Sequence, residues 1–198
     1  MYEFDKNNQD HVSIKSWFKE WESFVINKNF DSARKLFDKD VVCFGTWMDV
    51  VQGLNNLEKK QWKSIWPNIS NFCFLTDTLF IQFSPDKLLA NCVLIWDSIG
   101  YNPDGVKFKR PGRATVTLQR TSFKKSWKAI HTHLSLNRTV PQKTYGVKAG
   151  FVTLNLPKLS EYFCKLGIVD SVVQAPVNKI GFQMNPNLSS NIDTINNF

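Results

Sequence analysis

A chain of 198 residues, 42% apolar and 14% aromatic, is long enough to bury a real core, and its length favours one domain with an appendage over two full domains. The 25 basic against 17 acidic residues give a formal net charge of +8, which leaves anionic partners open, while Cys43, Cys73, Cys92 and Cys164 lack CxxC spacing and fall mostly in apolar runs, as buried reduced thiols do and as disulfides or zinc ligands do not. The N-terminal MYEFDKNNQD is polar and no stretch nears the roughly 18 apolar residues of a spanning helix, so neither a signal peptide nor a membrane anchor is expected and a cytoplasmic location is.

Ile14, Trp17, Phe18, Trp21, Phe24 and Val25 recur at helical spacing and predict an amphipathic helix over about residues 12–27 whose apolar stripe is core. Asn29–Phe30–Asp31 interrupts the pattern, and Asp31 is expected to cap a short helix running to Phe37. Asp40 leads into VVCFGTW, a β-branched and aromatic strand ending near Gly45. A third helix is expected over about 54–66, with Leu54, Leu57, Trp62, Ile65 and Trp66 turned inward and Pro67 ending it, because proline disfavours helical geometry in the residue before it.

From 69 to 136 the chain reads as strands and turns. SPDK (84–87) and YNPDG (101–105) are turn signals, and TSFKKS (121–126) is a looser polar connection. Four runs remain, near 69–83, 88–100, 107–120 and 127–136; their short connections make them antiparallel neighbours, and their length obliges them to twist or bend. Beyond Val140 the texture changes: short helices are expected around 157–166 and 168–174, followed by an asparagine-rich, loosely held end.

Chemistry-bearing residues concentrate in the later strands. His131 and His133, one residue apart in WKAIHTHLS, share a face if that run is a regular strand. Two imidazoles there can grip a cation, but a useful site needs a third ligand; His11 precedes the first helix and no glutamate follows at short spacing, so no metal is expected. Hydrogen-bonded packing and the lining of a pocket both remain open for the pair. Arg113, Thr115, Thr117 and Gln119 alternate with Ala114, Val116 and Leu118, and Trp127, Ala129, His131, His133 and Ser135 are expected on one side of the next strand. Asp97 interrupts the apolar run LLANCVLIWDSIGY and there needs a partner or a raised proton affinity, unless it is a solvated strand-end aspartate. The positive strip KFKR (107–110), with Lys124 and Lys125, is ordinarily a solvated face, and nucleic acid is not an expected partner. No nucleotide-binding glycine loop, nucleophile elbow or kinase signature occurs, so no cofactor is implied.

Several of these strings resemble the nuclear transport factor 2-like superfamily, and within it the SnoaL-like (ketosteroid isomerase/polyketide cyclase-like) domain. They are the aromatic first helix with Trp17 and Trp21, FGTW followed by QGLNNL, and GRATVTLQR leading to WKAIHTHLS. The last pair is similar to the closing strands of SnoaL-like domains and of the association domain of calcium/calmodulin-dependent kinases. The resemblance covers residues 10–138 and implies an α+β fold: a cone-shaped barrel in which three N-terminal helices pack in a strongly bent antiparallel sheet. Residues 139–198 are then a partly irregular C-terminal extension.

The superfamily's members include isomerases, dehydratases, polyketide cyclases and hydrolases alongside proteins that only bind ligands or assemble, so fold does not assign function. The resemblance places Trp47 and Asp49 near the pocket mouth and Asp97 close to a pocket-facing position. On this reading Asp97, His131 and His133 are the candidates for proton transfer, and Trp47, Trp62, Trp96, Arg113, Thr115 and Ser135 the candidates for holding a small polar organic substrate. The expected function is a cofactor-independent acid–base enzyme of isomerase, cyclase or dehydratase type, or a ligand carrier with the same pocket. The alternative is a noncatalytic oligomerisation or interaction module. Two apolar sheet faces, together with the superfamily's frequent use of its convex face as an interface, predict a homodimer.

Overall fold

A side-chain cap fixes where the first helix starts. The amides of Asp10 and His11 donate to Asn8 Oδ1 at 3.0 and 3.4 Å, so α1 (Gln9–Asn27) begins three residues earlier than its apolar stripe suggests. It ends where Lys28 turns left-handed at φ 53°. The computed structural model describes residues 7–46, 48–146, 169–174 and 180–184, with side chains over the first two ranges. The chain divides into two compact units, Met1–Phe151 and Val152–Phe198.

In the first unit, α2 (Phe30–Arg34) is capped by Asn29, whose Oδ1 accepts from the Ser32 amide at 3.1 Å; Asp31 sits inside the first turn and is not the cap. The helix stops before Phe37, which opens strand β1 (Phe37–Phe44). Phe37 is drawn out of helix by its surroundings: its ring lies 5.9, 5.2 and 5.0 Å from those of Trp17, Trp21 and Trp62, and it pairs with Ala129 across the sheet. A short strand without a sequence signal of its own, β2 (Val50–Gln52), folds back antiparallel on β1.

The third helical segment, α3, is compound. Leu54–Leu57 is α-helical, Glu58–Trp62 opens into a π-helical turn, Lys63–Ile65 is α-helical again and Trp66–Asn68 closes as a 3₁₀ turn. Pro67 stands at the start of that last turn, where its missing N–H costs nothing. The π turn is tied from outside by Glu58, which accepts from Arg34 at 2.7 Å and pairs with Lys63 at 2.8 Å. Inside it, the consecutive residues Gln61 and Trp62 both turn into the core.

Five strands complete the sheet: β3 (Ser70–Phe83), β4 (Leu89–Tyr101), β5 (Lys107–Lys109), β6 (Gly112–Gln119) and β7 (Lys128–Leu136). The order is β2-β1-β7-β6-β4-β3, with β5 paired to β4. All pairings are antiparallel except that of β1 with β7, which is parallel. The run 107–120, expected as one strand, is broken at Arg110–Pro111 because proline has no N–H for the ladder.

Bulges bend the sheet around α1. Between Leu75↔Ile95 and Phe80↔Val93 the β3 strand carries extra residues, and Thr78 Oγ1 replaces the lost backbone partner by accepting from the Ile95 amide at 2.9 Å. A second bulge puts one additional residue, Ile130, into β7, since Thr117 faces His131 while Leu118 faces Ala129.

The concave face buries Ala90, Cys92, Leu94 and Trp96 of β4, Ala114, Val116 and Leu118 of β6, and Thr132 and Leu136 of β7, against Ile14, Trp17, Phe18, Trp21 and Val25 of α1. Asp10 at the helix start holds Arg120 after β6 through two bonds of 2.7 and 3.1 Å. The Arg120 guanidinium stacks 4.2 Å from the Trp127 ring centroid, joining α1 to the far ends of β6 and β7. After β7 the chain returns to the opposite end of the sheet: the Tyr101 amide donates to Thr144 Oγ1 at 2.8 Å and Thr144 Oγ1 donates to the Asn68 carbonyl at 2.7 Å.

In the second unit Val169–Gln174 and Ile180–Met184 form an antiparallel pair, β8 and β9. This corrects the short helix expected around 168–174: Val169, Val172 and Val173 are β-branched and stiff at χ1, and pairing with a neighbouring strand suits them better than a helix. The helix expected around 157–166 lies outside the described residues.

Candidate functional site

The inner face of the bent sheet, α1 and α3 enclose a cavity of about 40 Å³. Trp21 of α1, Gln61, Trp62 and Trp66 of α3, Phe72 of β3, Trp96 of β4, Thr132 of β7 and Arg110 line it. One wall is an aromatic stack: Trp62 and Trp66 lie 4.8 Å apart at 20°, and Trp66 continues onto Phe30 at 5.2 Å. Each ring is placed by its element's period, and Trp62 additionally by the π turn.

Arg110 is the unusual member. It is 1% exposed. Its backbone is fixed where β5 gives way to β6: the Arg110 amide donates to the Ser98 carbonyl at 2.8 Å and Ser98 Oγ donates to the Arg110 carbonyl at 3.3 Å. Its Nη2 donates to Thr46 Oγ1 at 2.8 Å, and the guanidinium carbon lies 5.6 Å from the Trp96 ring centroid. Arg110 Nε has no protein hydrogen-bond partner, and among the described residues no carboxylate pairs with the side chain. Burial brings its proton affinity down to about 10, so it is a cation at neutral pH that no carboxylate among the described residues offsets.

Trp21 Nε1 and Trp96 Nε1 are likewise buried donors without a protein partner, and Gln61 Oε1 is a buried acceptor without one. Gln61 reaches the cavity because residue 45 is glycine: a Cβ there would come within 2.0 Å of Gln61 Nε2. Gly112 is required more strictly, since a Cβ would stand 2.3 Å from the Ser135 carbonyl and 2.4 Å from the Trp96 ring. That absence lets the Trp96 ring pack against the β6 backbone at Gly112.

The sequence-derived candidates divide between the two faces of the sheet. Trp62 and Trp96 line the inner cavity. Arg113, Thr115, His133 and Ser135 lie on the outer face, where they line a broad groove of about 740 Å³ with Thr78, Phe80, Val93 and Ile95. His131 is on that face too: its ring and that of His133 stand 6.0 and 5.5 Å from the exposed Phe44. The β7 bulge explains the split, because the extra residue reverses the side-chain parity. Trp127 and Ala129 are therefore buried while His131, His133 and Ser135 point outward, against the expectation that all five share a side. Asp97 is also outward and half-buried, its Oδ1 accepting from the Ser98 amide at 2.7 Å. Arg113 Nε donates to Ser135 Oγ at 3.2 Å. Trp47 lies outside the described residues.

Arg110 was hidden inside a strip that reads as solvated charge. Its signal was parity: in KFKR the exposed Lys107 and Lys109 alternate with Phe108 and Arg110, which puts the arginine on the apolar side. Gln61 carries no comparable signal, because a π turn is not written in apolar spacing. Among the described residues no group of three histidine, cysteine, aspartate or glutamate side chains converges as a metal ion would need, and no helix is long and apolar enough to cross a membrane.

Three helical segments inside a strongly bent sheet, with a cavity between them, define an α+β fold of the nuclear transport factor 2-like class. The SnoaL-like domain model matches residues 14–139, and the chain belongs to that family. No curated protein matches at a significant level. Solved structures with the same fold include a nuclear transport factor 2-like superfamily protein from Salmonella enterica serovar Typhimurium, 13% identical, with a TM-score of 0.55 over 70% of this chain and 100% of that one. A ketosteroid isomerase-like protein from Erwinia carotovora atroseptica is 14% identical, with a TM-score of 0.54 over 68% and 99% of the two chains. The S. rosetta CaMKII hub is 19% identical, with a TM-score of 0.52 over 64% and 95%. At such identities the likeness is one of fold.

Proposed function

We propose that this protein binds a small organic molecule in the inner cavity, and that its role there is binding rather than acid–base catalysis. The observation that carries this is Arg110: a buried cation without a counter-charge among the described residues, set among tryptophan N–H donors, is costly to fold and is retained where a ligand completes it. Among the described lining residues there is no carboxylate or imidazole to move a proton. Asp97, His131 and His133, the residues suited to proton transfer, stand on the other face of the sheet and would need a substrate there. Native mass spectrometry of the freshly purified protein, with extraction of any bound organic compound, tests the reading. Recovery of a compound whose release changes tryptophan fluorescence supports it, and an empty protein unresponsive to a small-molecule library counts against it.

A second reading concerns the outer face. Phe44, Leu75, Phe80, Val93 and Ile95 are each 39–44% exposed there, and four of them are paired across β3 and β4 as Leu75↔Ile95 and Phe80↔Val93, an apolar strip of the kind that a partner covers. We propose that it joins two copies of the chain in a homodimer, as the fold's relatives named as hub and association domains suggest. In that arrangement Arg113, Thr115, His131, His133 and Ser135 are interface residues.

A further inference from the structure

Resting on the reading of the inner cavity as a binding site, we infer that its ligand is a short-chain carboxylate anchored by Arg110. The polarity of the lining sets the charge. Three buried N–H donors without protein partners, Arg110 Nε, Trp21 Nε1 and Trp96 Nε1, outnumber the one such acceptor, Gln61 Oε1. An acceptor-rich group satisfies them and a donor-rich group does not. The single guanidinium, held at one end by Thr46 and lying over Trp96, presents N–H groups to a planar acceptor whose geometry matches a carboxylate.

Size and charge exclude the larger anions. A cavity of 40 Å³ takes about three water-sized groups, which matches the three heavy atoms of a carboxylate group and limits the chain attached to it to one or two carbons. A phosphate carries about one and a half to two charges at neutral pH, more than one arginine offsets among apolar walls. The remaining lining, Val25, Leu57, Ile65 and Ile69, receives a short alkyl chain.

The experiment uses the full chain with its tryptophan indoles labelled with ¹⁵N, followed by NMR as acetate, propionate, acetamide, propionamide or 1-propanol is added at constant ionic strength. Propionate and acetate are expected to move the Trp96 and Trp21 indole signals saturably, with the matching amides bound about tenfold more weakly, because a charge-assisted bond to arginine is worth more than a neutral one. Arg110→Gln is expected to bring the acids to the level of the amides. Since that variant alters a buried residue, Thr46→Val serves as a second probe that frees the guanidinium while leaving it in place, and is expected to weaken the acids and not the amides. Equal binding of acid and amide, or undiminished acid binding in a folded Arg110→Gln protein, overturns the carboxylate inference and leaves the cavity reading intact. No indole response to any of the five compounds also overturns the carboxylate inference, and the cavity reading is then decided by the mass-spectrometric test.

Discussion

Arg110 and Trp96 are each 1% exposed, and the guanidinium carbon of the first lies 5.6 Å from the ring centroid of the second. The contact is a cation–π pair built from two adjoining parts of the sheet, and among the described residues it is the arginine's main electrostatic compensation. Because a cation–π contact is weaker than a buried ion pair, Arg110 is expected to cost stability. Arg110→Met, similar in volume and without charge, should raise the unfolding free energy by about 1–3 kcal/mol in urea denaturation while weakening a carboxylate ligand by about tenfold or more. A destabilised Arg110→Met protein would show that the charge serves the fold itself.

The same cost has a pH signature. Burial lowers the folded-state proton affinity of Arg110 well below its ordinary value, to about 10, so above pH 10 the unfolded chain holds a proton that the folded protein has released. The penalty is therefore complete below pH 10 and relieved as pH rises through it. Wild type minus Arg110→Met stability, measured across that range, should shrink with rising pH; a constant difference would mean that the guanidinium is not desolvated.

Faces of the sheet separate the two sets of candidates, so their effects should separate. Asp97→Asn and Arg113→Ala are expected to leave cavity binding unchanged, because both side chains stand on the outer face. Titration of the same ligand into each variant checks this. A loss of affinity beyond about threefold in either would place the ligand on that face.

Self-association draws on the exposed apolar surface. Phe80→Lys together with Ile95→Lys should convert a dimer to a folded monomer in light scattering, since two charges at the centre of a face-to-face contact lose their hydration without gaining partners. A wild-type protein that is monomeric at micromolar concentration would remove the interface.

Chain ends can be tested by truncation. Cutting after Phe151, at the boundary between the compact units, should leave a cooperatively melting domain. Cutting after Val140 removes Thr144, whose hydroxyl serves both the Tyr101 amide and the Asn68 carbonyl, and should lower stability by about 2–3 kcal/mol by orphaning a buried amide. Equal melting temperatures for the two truncations would make that strap dispensable.

Much of the architecture was readable because it follows from local periodicity. The α1 stripe from Ile14 to Val25, the long antiparallel runs on either side of SPDK and YNPDG, and the alternation of Ala114, Val116 and Leu118 with polar neighbours each express a repeat of 3.6 or 2 that the chain must obey to bury its apolar side chains. The resemblance carried by GRATVTLQR and WKAIHTHLS added the family and the bend. What only the tertiary structure decided was which face each polar residue meets. One extra residue in β7 turned His131 and His133 away from the cavity, a π turn brought Gln61 into it, and Pro111 broke a basic strand at the point where Arg110 could enter the core. Such shifts of one residue leave composition and spacing almost untouched, yet they reverse the side on which a side chain lies, because parity in a strand is set by its pairing partner and not by the strand alone.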